Sequence, residues 1–415
     1  MKSIFKNTFL VTIAKLSLVS ILPKLLGFLK EVLIAQKFGV SAEVDSYILY
    51  LAFITFPLAF YINGIQIYLT REIKHNRQDT EKLLFTAIKI CLLSFVVIVP
   101  LYLYFGLNQI SQDSTSLLIV ACLSIYYLIT SLNLILYGFL QAIDLLRQNF
   151  VTPVINHLLF ISVIFLLPFK SLETLLISLL VGTISEFVVM VFTVRKHISG
   201  SLINLKNYKR LISIKPVKLI FTFSLVSVIP GLIPLVEQII YSKYGPGVIS
   251  MIAYSSKIPV AISGLFLSVI SVYSFTYFEK YSPSIIELRK NAILIFFGFS
   301  VMATILALLS PNIVDFFYKS DKIDSYQLSL ISTYQKIYIF QIPFLAVNML
   351  FWRLILFILP QKRILKTALI SGLLHVILIT VTQILALDII KFLYLNLLGS
   401  SLLNFIIYQY TATRR

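Results

Sequence analysis

Runs of about twenty apolar residues follow one another along this chain from end to end, separated by short polar connections. A helix of that length spans the roughly 30 Å hydrocarbon core of a bilayer at about 1.5 Å per residue. Only helices and closed barrels satisfy their backbone groups in lipid, and continuous apolar runs, not alternating ones, predict helices. The 415 residues are 59% hydrophobic and 13% charged, with mean hydropathy +0.94, a balance no soluble domain shows. The expected fold is therefore an all-α polytopic membrane protein. About twelve spans are read, near residues 9–29, 44–69, 83–106, 116–140, 152–169, 171–194, 217–242, 248–278, 291–311, 328–358, 364–387 and 391–411. Those longer than the bilayer needs imply tilt. The first run has no small-residue cleavage site, so no cleaved signal peptide is expected.

The net charge of +18 would suggest nucleic acid in a soluble chain. Here Lys and Arg gather in alternate connections: Arg71, Lys74, Arg77 and Lys82; then Arg195, Lys196, Lys206, Lys209, Arg210, Lys215 and Lys218; then Lys362, Arg363 and Lys366. That alternation is the positive-inside pattern. It places both termini in the cytoplasm, the chain in the cell's inner membrane, and makes a nucleic-acid partner unnecessary. The most basic connection, 196–216, divides the chain into an N-terminal lobe, 1–195, and a C-terminal lobe, 217–415, of six spans each. No connection is long enough for a catalytic domain, and no G-x-x-x-x-G-K-[ST] nucleotide motif is present, so a transporter is expected rather than an enzyme. Cys91 and Cys122 lie in apolar runs and predict neither a disulfide nor a metal site. No cofactor is expected; energy would come from a Na+ or H+ gradient or from the membrane potential.

Two stretches align without a gap. Residues 31–39 read EVLIAQKFG and residues 237–245 read EQIIYSKYG. Glu31, Ile34, Lys37 and Gly39 recur as Glu237, Ile240, Lys243 and Gly245. Each stretch ends the first span of its half. A parallel repeat follows, with the two lobes related by a pseudo-twofold along the membrane normal and substrate bound in a central cavity between them.

Charges at membrane depth cost roughly 2.5–3.5 kcal/mol each on insertion scales, so they face a partner or a wet cavity. Lys24 and Lys30 stand about 120° and about 9 Å apart on a straight helix, and Glu31 shares a face with Lys24. Lys257 lies about a third of the way into the eighth span, two residues before Pro259. Three lysines facing one cavity suit a cargo with clustered negative charge, such as a diphosphate. Asp45, Glu31 and Glu237 are expected to orient these lysines or to gate the cavity. Glu186, expected to pair with a basic group of its own half, and Arg353 are secondary candidates. Lys15 and Lys89 are read as snorkelling, and His157 and His375 as satisfied core histidines.

With these residues on the page, the stretch PKLLGFLKEVLIAQKFGVSAEVDSY resembles the opening signature of the MurJ/MviN lipid II flippases of the multidrug/oligosaccharidyl-lipid/polysaccharide (MOP) exporter superfamily. The family's basic residue, Gly-Phe, basic–acidic pair, Phe-Gly and Asp fall at Lys24, Gly27-Phe28, Lys30-Glu31, Phe38-Gly39 and Asp45. VEQIIYSKYGPGVISMIAYSSKI is similar to its seventh-to-eighth span signature, with Glu237 at a usual Asp and Lys257 at a functional arginine. Where the family has arginines in the second span, this chain has Leu58 and Ala59. The resemblance implies a monomeric flippase that moves a polyprenyl-diphosphate-linked saccharide outward, with lipid II or a surface-polysaccharide repeat unit as cargo. The rival on the same fold is an ion-coupled multidrug or small-cation antiporter, which would favour carboxylates in its cavity.

Overall fold

The computed structural model describes residues 21–62, 80–110, 117–143, 148–167, 171–198, 231–281 and 284–413, with isolated positions in the intervening stretches. Lys15, Asn63 and most of the 196–216 connection lie outside the described residues. Among these residues every regular element is helical, and the sole strand-like pairing is an isolated bridge between Ser320 and Ile323. Seven of the described helices are long and apolar enough to cross a membrane.

In chain order the helices are α1 (21–38), α2 (Ala42–Pro57, running into a π turn at Leu58–Ile62), α3 (Thr80–Ile110), α4 (Leu117–Ala142), α5 (Gln148–Leu166) and α6 (Leu172–Arg195). They continue with α7 (231–241), α8 (Val248–Tyr281), α9 (Ile285–Tyr318), α10 (Ser325–Ile358), α11 (Gln361–Ile384) and α12 (Ile389–Leu393, a π turn at Tyr394–Gly399, then Ser400–Thr413). Their starts are written in the sequence. Ser171, Ser284, Asp324 and Asp388 accept backbone N–H groups of the first turns of α6, α9, α10 and α12, and Ser284–Glu287 and Asp324–Gln327 form capping boxes. The Asp388 side chain also pairs with Lys391 at 2.8 Å, and this partner holds its carboxyl below the usual range.

Contacts group the chain into two compact units. The first holds residues up to 30 and 46–235; the second holds 31–45 and 236–415. Helix α1 thus begins in one unit and ends in the other, and so does α2. In the first unit α6 packs on α4 and α5. Small and polar residues allow this close approach: Gly182 of α6 lies so near α5 that a Cβ there would meet Asn156 O at 2.7 Å, and Asn133 Nδ2 of α4 donates to Thr183 O at 3.4 Å. In the second unit α10 is the central helix, packed on α8, α9 and α12. Ala303 and Ala307 of α9 bury against Ile339 of α10, Ser310 bonds Ser332, and Asn348 Nδ2 donates to Ser401 O at 2.9 Å. Large apolar side chains turned outward, such as Phe297, Leu308 and Phe316 along α9, suit a lipid-facing surface.

The turn between α1 and α2 has one conformational requirement. Gly39 has φ +70°, and a Cβ on it would stand 2.7 Å from Lys322 O. Gly39→Ala therefore adds left-handed strain to a backbone clash. A loss of about 2–4 kcal/mol is expected. It would appear as a fall in the apparent melting midpoint of the purified protein, while Gly298→Ala, where a Cβ meets nothing within 4 Å, should leave it unchanged.

Candidate functional site

The two copies of the repeat share one feature, a glycine turn after a helix, although the first is α-helical to its end and the second closes in a 3-10 turn at Ser242–Tyr244. Gly39 and Gly245 both have positive φ, +70° and +116°, and each is followed three residues later by a new helix, at Ala42 and at Val248. Within the second unit the segment that carries the first copy lies against the start of α8. Asp45, buried in the first turn of α2, accepts the Gly247 N–H on Oδ2 at 2.5 Å and the Ser250 N–H on Oδ1 at 2.7 Å. These are orphan donors at the start of α8, where the helix dipole also favours a negative charge. Asp45 is thus the N-terminal cap of a helix two hundred residues away. The approach requires Gly247, because a Cβ there would meet Val40 Cγ1 at 2.4 Å.

The same segment meets Lys257. Its Nζ lies 3.3 Å from Glu31 Oε1, and the two side chains are 33% and 17% exposed, so the pair is neither sealed in protein nor open to bulk water. Between this pair and the cap, Tyr254 donates its hydroxyl to Gly39 O at 2.9 Å, and Tyr318 donates to Tyr254 O at 3.0 Å with the two rings stacked. Gln36 Nε2 donates to Phe317 O at 3.2 Å. Residues 31–45 are therefore fastened to α8 and α9 by one ion pair, one carboxylate cap and a set of neutral bonds.

In the first unit, Lys24 and Lys30 are both half-buried on α1. Lys30 Nζ stands 4.7 Å over the Phe160 ring of α5, a cation–π placement, and Gly27 between the lysines packs on His157. Lys30 ends the first of the two segments that make up the first unit, and Glu31, beside it in sequence, belongs to the second unit.

The model of one family matches residues 9–273, a stretch that includes both copies of the repeat and Lys257, and describes a polysaccharide biosynthesis protein. The chain belongs to that family. Among solved structures it is similar to the lipid II flippase MurJ in an inward closed conformation, with 21% identity, 96% of this chain and 87% of that one covered, and a TM-score of 0.76. It is also similar to an inward-facing multidrug resistance MATE family transporter of the MOP superfamily, with 13% identity, 94% of each chain covered and a TM-score of 0.68. A MOP superfamily transporter from Pyrococcus furiosus, described as having a binding pocket of reverse polarity, matches with 13% identity, 96% and 92% coverage and a TM-score of 0.60. No curated protein sequence matches the chain. At such identities the likeness is one of fold: this polysaccharide biosynthesis family member is a multi-pass, all-helical membrane protein with the architecture of MurJ and MATE transporters.

The family member holds two further carboxylates among neutral donors, Glu186 buried and Glu237 half-buried. In the first unit Glu186 of α6 accepts from Tyr137 OH and from Asn156 Nδ2, the latter at 2.7 Å, and Thr152 bonds Tyr137 in turn. The basic partner expected for Glu186 is replaced by these neutral groups, because α4 and α5 present a tyrosine and an asparagine there. In the second unit Asn396 Nδ2 donates to Glu237 Oε1 at 2.6 Å, and His375 Nε2 lies 2.8 Å from Asn396 Oδ1 and 3.8 Å from Glu237. Glu237 thus sits with α11 and α12. Arg353 lies near the far end of α10, roughly 28 Å in helix length from the level of Lys257, counting from the starts of α10 and α8. Sequence reasoning missed Asn156, Tyr137 and Asn396; the available signal was a polar amide or phenol standing alone in an apolar run.

Proposed function

We propose that this protein is a flippase carrying a polyprenyl-diphosphate-linked saccharide from the cytoplasmic to the outer leaflet by alternating access. In this reading twelve spans form two six-helix lobes, 1–195 and 217–415, joined by the basic connection 196–216, with both termini cytoplasmic and the monomer as the working unit. Lys24, Lys30 and Lys257 supply the cations for the diphosphate. The observation that carries the reading is the Lys257–Glu31 pair. A lysine inside a span, paired to a carboxylate on α1, can exchange that carboxylate for an anionic headgroup at little net cost in charge. The exchange would loosen the Glu31 end of this segment from α8, while Asp45 keeps the start of α8 capped. A ligand shifts such an equilibrium only by its different affinity for the two states, and the diphosphate meets this condition because it and Glu31 compete for one cation. Lipid II and a surface-polysaccharide unit share this headgroup chemistry, and the family description favours the latter.

A second reading, an antiporter of organic cations, is supported by Glu186 and Glu237, two carboxylates held by neutral donors. Reconstituted vesicles separate the two. The flippase reading expects transfer of a labelled lipid-linked saccharide that depends on Lys257 and no efflux of a cationic dye. Dye efflux that needs Glu186 and is indifferent to Lys257→Gln would favour the antiporter.

A further inference from the structure

In the second unit a cavity of about 270 Å³ opens among α9, α10 and α12. Its walls are Phe296, Phe344, Phe351 and Phe405, and the edge residues Ile293 and Phe297 are themselves exposed, so the cavity opens on the lipid-facing side of α9. Its two polar linings, Arg289 and Gln409, come from helix ends that meet at one side of the unit: Arg289 lies in the second turn of α9, and Gln409 four residues before the end of α12. Lys290, Lys362, Arg363 and Lys366 stand on the same side, at the starts of α9 and α11. The nearby carboxylate Glu287 is engaged in capping α9 through the Ser284 N–H at 2.9 Å. An apolar slot with a cationic rim is thus built into the unit.

We propose that this cavity binds an anionic glycerophospholipid of the surrounding bilayer, with part of one acyl chain between the phenylalanines and the phosphate on Arg289 and Gln409. The physics favours a chain over water. An apolar cavity of about 150 Å³ already stays dry and takes up a hydrocarbon, and this one is larger. Counted in units of about 30 Å³, it accepts about nine carbon-sized groups, a segment of one acyl chain. The rim favours an anion over a zwitterion, as basic pockets beside transmembrane helices do. The proposal does not depend on the transport reading, since it uses none of the residues assigned to the cargo.

Trp352 is the chain's single tryptophan and packs against the cluster containing Phe351, with Phe405 beside it. Its fluorescence in vesicles therefore reports on chains entering the cavity. Brominated phosphatidylglycerol is expected to quench it at mole fractions at least about fivefold lower than brominated phosphatidylcholine, in line with the charge preference of such rims. Arg289→Gln, on an exposed side chain, should make the two curves coincide without moving the melting midpoint. Ala292→Phe, which fills the cavity, should weaken quenching by both lipids. Equal quenching by the two headgroups in the wild-type protein would overturn the proposal, as would an Arg289→Gln protein that keeps the preference. Relief of quenching by added polyprenyl diphosphate would do so too, because the cavity would then belong to the cargo's tail.

Discussion

Lys257→Glu is expected to abolish transfer of a polyprenyl-diphosphate-linked saccharide in reconstituted vesicles, by a factor of about a hundred or more, while membrane insertion and abundance stay normal. The mutation replaces the attraction for Glu31 at 3.3 Å by a repulsion and turns the cation offered to the diphosphate into an anion. Two charges about 4 Å apart at a protein surface interact by about 4 kcal/mol, and solvent reaching a side chain one-third exposed reduces the pair to about 1–2 kcal/mol. Reversal against a doubly charged headgroup at least doubles that, and every 1.4 kcal/mol is about tenfold. Lys257→Arg keeps the charge in a planar fork and should retain transport within about tenfold. Glu31→Gln frees Lys257 from its competitor. It is expected to bind the headgroup more tightly, by about threefold to tenfold, and to turn over more slowly, since the carboxylate that would displace the diphosphate is gone. A Lys257→Glu protein that is well inserted and transports normally would remove this lysine from the mechanism.

Asp45→Ala is expected to be strongly destabilising although it lies outside the apolar core. It leaves the buried Gly247 and Ser250 N–H groups without their acceptor and takes the negative charge from the start of α8. Charge-assisted bonds contribute about 1.5–3 kcal/mol each, and shared between two bonds on one carboxylate a loss of about 3 kcal/mol follows. For a unit of this size the apparent melting midpoint should fall by about 6–12 °C. Asp45→Asn keeps one acceptor oxygen and should lose about half as much. A shift under about 2 °C for Asp45→Ala would mean that the segment 31–45 is held by its neutral bonds and the Glu31–Lys257 pair alone.

Much of this was legible in residue order. Apolar runs of membrane length predicted helices, and among the described residues helices stand there. The spans read from 291, 328 and 391 start a few residues inside the observed helices, whose first turns Ser284, Asp324 and Asp388 cap. The nine-residue repeat predicted a common local structure, and positive φ at Gly39 and Gly245 with a helix three residues on supplies the physical reason for the shared glycine. Pairing was not legible. Glu31 was placed on the face of Lys24 by a seven-residue spacing and was expected to orient the three lysines; its pairing with Lys257 is made by tertiary packing that no local period encodes. Asp45 was read as a gate or as a companion of lysines; the cap it forms on α8 was not foreseen. Its acceptors' partners are backbone N–H groups, which every residue except proline carries and which therefore leave no mark in composition. Glu186 gained neutral partners for the same reason: Tyr137 and Asn156 are ordinary residues until α4, α5 and α6 bring them together.

Binding of a short-chain prenyl diphosphate to the purified protein, followed at equilibrium against the matching prenyl alcohol, tests the central claim most directly. The account predicts that the diphosphate binds at least about tenfold more tightly than the alcohol, corresponding to about 1.4 kcal/mol from charge, and that this advantage disappears in Lys257→Glu and survives in Lys257→Arg. Equal affinity for diphosphate and alcohol, or an advantage that persists in Lys257→Glu, would contradict it.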